Sequence, residues 1–244
     1  MPIGNPIYYQ GEYKEDVLYP LYIQRFTCSF KLKKGKIPSI QLKNTPGFIP
    51  NEYIESTNGA LITLTLTSVD LELFLSQYEV TSEIVYQDGF KFKRLKGIFT
   101  TYIEYWTSKK IEAKKQENTA LYRIAKLMLN SLYGKFGLNP HVRSKYPYLT
   151  DTGKIKYKLY PEEIRDSVYC PVASFITAYS RKDIILTSQA IRDYSLKTYG
   201  EDYYIYSDSD SIHMIKLSDE EFQKVKNGNK LSFENNSKKI ILEY

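Results

Sequence analysis

Apolar and polar positions alternate loosely through Leu21–Leu32 and cleanly through Ala60–Thr67, which predicts strands in both stretches. The first ends at Lys34-Gly35-Lys36, a turn signal. Ser68 is placed to cap a short helix carrying Leu71, Leu73 and Phe74, and Glu79–Phe92 reads as two strands around a turn at Asp88-Gly89. The strongest helical pattern follows, with Ile98, Phe99, Tyr102, Ile103 and Trp106 spaced along Gly97–Gln116. Asn118 can cap a second helix, Thr119 to about Tyr133, and the short polar break between the two predicts an antiparallel helical hairpin. Gly134 and Gly137 are expected to end it. Pro140–Val168 is polar with a turn at Asp151-Thr152-Gly153, Val172–Tyr194 is helical, and Tyr203–Lys216 is a hairpin of two short strands.

Local strand pairs and long helices without βαβ alternation predict an α+β protein with antiparallel sheets. At 244 residues and 42% hydrophobic, the chain can bury a real core, which excludes a disordered tail as its main character. A net charge of +6 leans toward a polyanionic partner. The 24 tyrosines suit half-wet nucleic-acid grooves, or reflect a coding bias that also raises Lys, Ile and Asn. Two cysteines, Cys28 and Cys170, imply neither a disulfide framework nor a thiolate metal cluster. No apolar run is long enough to span a bilayer and the N-terminus does not read as a signal peptide, so cytoplasm is the expected location, with no membrane partner.

The chemistry concentrates in Tyr206-Ser207-Asp208-Ser209-Asp210-Ser211, between the two strands of the last hairpin. Two carboxylates two residues apart repel unless a cation neutralises them, and a hard divalent ion with oxygen ligands does so beside phosphates. Asp208 and Asp210 are therefore candidate metal ligands and catalytic groups for two-metal phosphoryl transfer. A solvated Asp-Ser turn is the plain alternative. A calcium loop fits worse, because Ile212 and His213 stand where an acid or amide and a glycine are needed. An aspartyl-phosphate phosphatase also fits worse, since Ile212 stands where Thr is wanted.

On the second helix of the hairpin, Lys126, Asn130 and Tyr133 fall at i, i+4 and i+7, on one face, with Gly134 beside them allowing close backbone approach. A cation, an amide and an aromatic ring can neutralise a triphosphate, hydrogen-bond and stack on a base. The alternative is an ordinary wet helix face whose remaining apolar positions pack inward. Lys114, at the end of the preceding helix, can come alongside Lys126 as a second phosphate contact.

Together these stretches resemble the motifs of family B DNA polymerases. Lys126-x-x-x-Asn130-Ser131-x-Tyr133-Gly134 resembles motif B, and Tyr206-x-Asp208-Ser209-Asp210-Ser211 resembles motif C, with Ser209 in place of the usual Thr. Between them, Thr177-Ala178-Tyr179-Ser180-Arg181 resembles the element that contacts DNA near the primer terminus. The run Lys126–Phe136 is most similar to the protein-primed branch of phages and linear plasmids. The resemblance implies a palm with an antiparallel sheet, helical fingers and two branch-specific insertions. It implies nucleotide binding by Lys114, Lys126, Asn130, Tyr133 and Gly134, DNA binding by Thr177, Arg181, Tyr206 and Ser207, and Mg²⁺ or Mn²⁺ at Asp208 and Asp210. It also implies primer-template DNA, deoxynucleoside triphosphates and a terminal protein as partners, in the host cytoplasm for a phage protein.

On that pattern residues 1–46 are palm, 47–97 the first insertion (terminal-protein region), 98–139 the fingers, 140–170 the second insertion with its flanks, and 171–244 palm again. The family's motif A, Asp-x-x-Ser-Leu-Tyr-Pro, has no match; Asp16-Val17-Leu18-Tyr19-Pro20 puts Lys14 where its Asp belongs. An exonuclease domain and a thumb are not recognisable either. The expectation is a fragment that does not polymerise alone and that takes motif A and the exonuclease domain from a second chain. The other expectation is an inactive remnant that binds DNA or a terminal protein; an unrelated α+β protein is a third reading.

Overall fold

The computed structural model describes residues 1–43, 45–49, 52–166, 168–208, 211–215, 218 and 220. In its first part, strands β1 (Pro2–Gln10), β2 (Leu21–Cys28), β3 (Phe30–Leu32) and β4 (Ile62–Thr67) lead into helix α1 (Ser68–Gln77), then β5 (Tyr78–Val80) and β6 (Val85–Arg94). Helices α2 (Thr100–Lys115) and α3 (Thr119–Phe136) follow, then β7 (His141–Val142), β8 (Lys145–Leu149), β9 (Ile155–Leu159) and β10 (Glu163–Ile164). Helix α4 (Pro171–Tyr199) and the hairpin β11 (Tyr204–Asp208) and β12 (Ser211–Met214) complete the described elements. All described strand pairs are antiparallel, so the α+β class holds. The chain divides into two compact units, one of Pro2–Arg94 with the residues from Thr177 on, the other of Leu95–Ile176 with Met1.

In the first unit the sheet runs in the order β1-β6-β2-β4. Strands on both sides of position 46 share it, joined by backbone hydrogen bonds. The alternation of β2 and β4 supplies Phe26, Cys28, Ile62 and Leu64 to a core closed by Leu71 and Phe74 of α1 and by Phe30 and Tyr78. Phe30 meets Phe74 edge-on, with ring centroids 5.1 Å apart. Burying each such ring contributes roughly 1.5–3 kcal/mol. The buried Tyr78 hydroxyl accepts from the Ser39 and Ile40 amides at 2.9 and 3.2 Å and donates to the Ile54 carbonyl at 2.8 Å, tying the irregular stretch after β3 to the core.

The turn expected at Asp88-Gly89 does not exist, because both residues lie inside the continuous strand β6. Gly89 is there for space: a Cβ would sit 2.2 Å from the Ile23 carbonyl oxygen and 2.3 Å from the Tyr9 hydroxyl. Gly89→Ala is expected to lower stability by roughly 1–3 kcal/mol, read as an earlier urea midpoint; an unchanged midpoint would mean the neighbouring strands have room to part. Helix α1 is capped one residue earlier than expected, by Thr67, whose hydroxyl accepts from the Asp70 amide.

In the second unit α2 and α3 form the expected hairpin. Asn118 caps α3 through the Leu121 amide at 3.0 Å. Phe99 packs on Phe136 with centroids 5.4 Å apart, and the Tyr102 hydroxyl donates to the Met128 carbonyl at 2.9 Å. The expectation that the remaining apolar positions turn inward holds only in part. Ala125 is buried, whereas Ile124 and Leu127 are 51% and 63% exposed, because each helix of a two-helix hairpin has one inner stripe. Gly134 lies within α3 and does not end it; Gly137 is the C-cap. The polar stretch after it makes two hairpins, β8 with β9, turning at Gly153 (φ +73°), and β7 with β10. No described helix is long and apolar enough to cross a membrane.

Candidate functional site

The carboxylate hairpin is anchored through the period of two in its strands. Ile212 and Met214 of β12 are 2% and 1% exposed and pack with Ala190 and Ile191 of α4. The opposite side carries what the anchor leaves free. Asp208 pairs with Ser211 across the strands and Tyr206 with His213, so all four share that side. The rings of Tyr206 and His213 stack, with centroids 4.0 Å apart and planes at 9°. Asp208 is exposed at the end of β11, and its carbonyl accepts from the Ser211 hydroxyl at 3.1 Å. The Ser207 hydroxyl lies 3.2 Å from that of Tyr204. Asp210 and Ser209 lie outside the described residues.

On α3, Lys126, Asn130, Tyr133 and Gly134 are all exposed, and helical spacing keeps Lys126, Asn130 and Tyr133 on one stripe. Nothing lies within 4 Å of a Cβ built on Gly134, so no protein atom requires glycine there. Gly134→Ala is expected to raise stability by about 0.5–1 kcal/mol, read as a higher melting temperature. A lower one would place an unseen neighbour against α3.

Lys114 is brought against α3: with Asn118, Thr119 and Tyr122 it lines one pocket, and Tyr122 is one turn before Lys126. It lies at the tip of the hairpin, where the Ala113 carbonyl accepts from the Asn118 amide at 2.9 Å. Lys110, one turn earlier on α2, is also brought to α3: its Nζ stands 5.9 Å from the centroid of the Tyr122 ring. Tyr122 is four residues before Lys126 on the same stripe, about 6 Å along the axis.

In the unit that contains the carboxylate hairpin, α4 continues unbroken through the Thr177–Arg181 stretch, which puts Thr177 and Arg181 one turn apart on one face while Ala178 is fully buried. Arg181 is 41% exposed in its side chain, and its guanidinium donates to Asp70 of α1. Nothing in the sequence pattern indicated this partner, because it comes from 111 residues away.

Residues 1–228 match the family described as DNA polymerase type B, organellar and viral, and the chain belongs to that family. The DNA polymerase of Bacillus phage Nf is 45% identical over 214 residues, covering 88% of this chain and 35% of that protein. That of Bacillus phage phi29 is 42% identical over the same length and coverage. That of Streptococcus phage Cp-1 is 36% identical over 220 residues. The structure of phi29 DNA polymerase complexed with primer-template DNA superposes with a TM-score of 0.72 at 41% identity, covering 86% of this chain and 34% of that one. The ternary complex with primer-template DNA and incoming nucleotide substrates gives 0.69 at 43% identity, covering 78% and 32%. The chain thus spans about a third of the length of the curated relatives it matches.

Proposed function

We propose that the chain forms the nucleotide- and primer-binding part of a protein-primed, DNA-directed DNA polymerase, a nucleotidyltransferase. The observation that carries this proposal is the hairpin β11–β12, which is anchored by apolar residues on one side and presents Asp208 to solvent on the other. An exposed carboxylate on a fixed strand is a hard oxygen ligand and fits Mg²⁺ or Mn²⁺, with Asp210 as the second donor. Bound there, the ion would offset negative charge on the phosphate oxygens during transfer.

The other roles fall to the chain's own side chains. Lys126 and Lys114 neutralise the triphosphate of the incoming nucleotide, with Lys110 beside them over Tyr122. Asn130 hydrogen-bonds it and Tyr133 packs against it, with Gly134 leaving room for the approach. Thr177 and Arg181 hold primer-template DNA, together with Tyr206 and Ser207. Residues 47–97 take a terminal protein as partner, and the motif A carboxylate and the exonuclease domain come from outside residues 1–244. The host cytoplasm is the place of action.

The test is a binding experiment that needs no turnover. The full chain is titrated onto a labelled primer-template with Mg²⁺ and each deoxynucleoside triphosphate in turn. The nucleotide complementary to the next template base should tighten the complex and the other three should not. Binding that ignores the nucleotide would leave a DNA-binding module without nucleotide selection, and no binding would overturn the proposal.

A further inference from the structure

Arg181 is the side chain on α4 proposed to meet DNA, yet it does not stand alone. Its guanidinium NH1 donates to Oδ1 of Asp70, whose side chain is only 11% exposed. Asp70 is itself fixed from the other side: its Oδ2 accepts from the Thr67 hydroxyl at 3.0 Å, and its amide donates to that hydroxyl at 3.1 Å. The carboxylate thus has one oxygen held by the cap of α1 and the other on Arg181. The next residue, Lys182, donates to Glu72 at 2.7 Å, where Glu72 is 68% exposed. Beneath the two pairs, Leu73 of α1 packs with Ile185 of α4 and Ile37, which sets the spacing of the two helices.

A guanidinium carries five N–H donors, and one of them goes to Asp70. The remainder, on a side chain 41% exposed, stay open to a phosphate. A free arginine loses rotamer entropy of about 2 kcal/mol when it is fixed, so an arginine already held by a buried carboxylate binds its phosphate with less loss. We infer that Asp70 is a positioning residue for DNA binding: it holds Arg181 in the orientation that meets the DNA backbone near the primer terminus. The opposite effect, a carboxylate that repels DNA, is weak here because Asp70 is largely covered and its charge is matched by Arg181.

This inference rests on the proposed DNA contact of Arg181, and the test separates the two. The full chain is titrated onto a fluorescent primer-template with a recessed 3′ end and onto a blunt duplex of equal length, across a range of salt. Asp70→Asn keeps the size of the side chain and the amide that the Thr67 hydroxyl accepts from; Glu72→Gln serves as the control at the exposed pair. Asp70→Asn and Arg181→Gln are each expected to weaken primer-template binding about five- to tenfold, and the double variant no further than Arg181→Gln alone. Asp70→Glu should recover part of the loss, and Glu72→Gln should change little. A purely structural role would lower the melting temperature of Asp70→Asn without making its effect vanish in the Arg181→Gln background. Full affinity in Arg181→Gln would overturn the DNA contact and the inference with it. Weak binding in Arg181→Gln beside unchanged or tighter binding in Asp70→Asn, or additive losses, would overturn the inference alone.

Discussion

Asp208→Asn is expected to reduce nucleotide transfer by about a thousandfold or more while leaving primer-template affinity within about twofold. A metal ion at the reacting phosphate supplies several kcal/mol of charge stabilisation in the transition state, and each 1.36 kcal/mol is a factor of ten in rate. The amide keeps the shape of the side chain but is a far poorer ligand for a hard cation. Because Asp208 is exposed while the anchoring residues are Ile212 and Met214, the substitution should leave the hairpin folded. The measurement is single-turnover primer extension, with the chain combined with a separately produced polypeptide carrying the parts of the phage relatives outside the matched third. Equal rates for wild type and variant would remove Asp208 from the chemistry.

Lys126→Ala is expected to raise the nucleotide concentration needed for the ternary complex by about 10- to 150-fold, the range of a charge-assisted contact worth roughly 1.5–3 kcal/mol. Lys110→Ala should act in the same direction, because its ammonium lies over Tyr122 on the same stripe as Lys126. Lys114→Ala should act in the same direction, since Lys114 lines a pocket with Tyr122 of that stripe. Lys126→Arg should not restore full affinity, since a planar fork does not replace a compact ammonium at a fixed spot. The titration is of the complementary nucleotide against a constant chain and primer-template, read as a shift in half-saturation. An unchanged half-saturation in Lys126→Ala would contradict the assignment.

The parts of this structure that depend on local pattern were legible in the sequence. The alternation in Ala60–Thr67, the Asn118 cap and the apolar strands around Asp208 each state a short-range preference that packing then reinforces. What escaped depends on groups far apart in the chain. Asp88-Gly89 looks like a turn from its two residues, and only the approach of Tyr9 and Ile23 explains why a strand needs glycine there. The partner of Arg181 is set by the packing of α1 on α4, which no spacing rule reports. The proline- and glycine-rich stretch after Thr45 breaks local structure without breaking the sheet that β2 and β4 share.

The central claim is that the exposed carboxylate of β11 and the lysine stripe of α3 serve one templated transfer. Its most direct test is primer extension with Mg²⁺ and all four nucleotides by the wild-type chain mixed with the polypeptide described above, sequencing the product. Extension that copies the template, needs both polypeptides and is lost with Asp208→Asn is the predicted result. A folded mixture that binds primer-template but adds no nucleotide, or adds nucleotides equally well with Asp208→Asn, would contradict it.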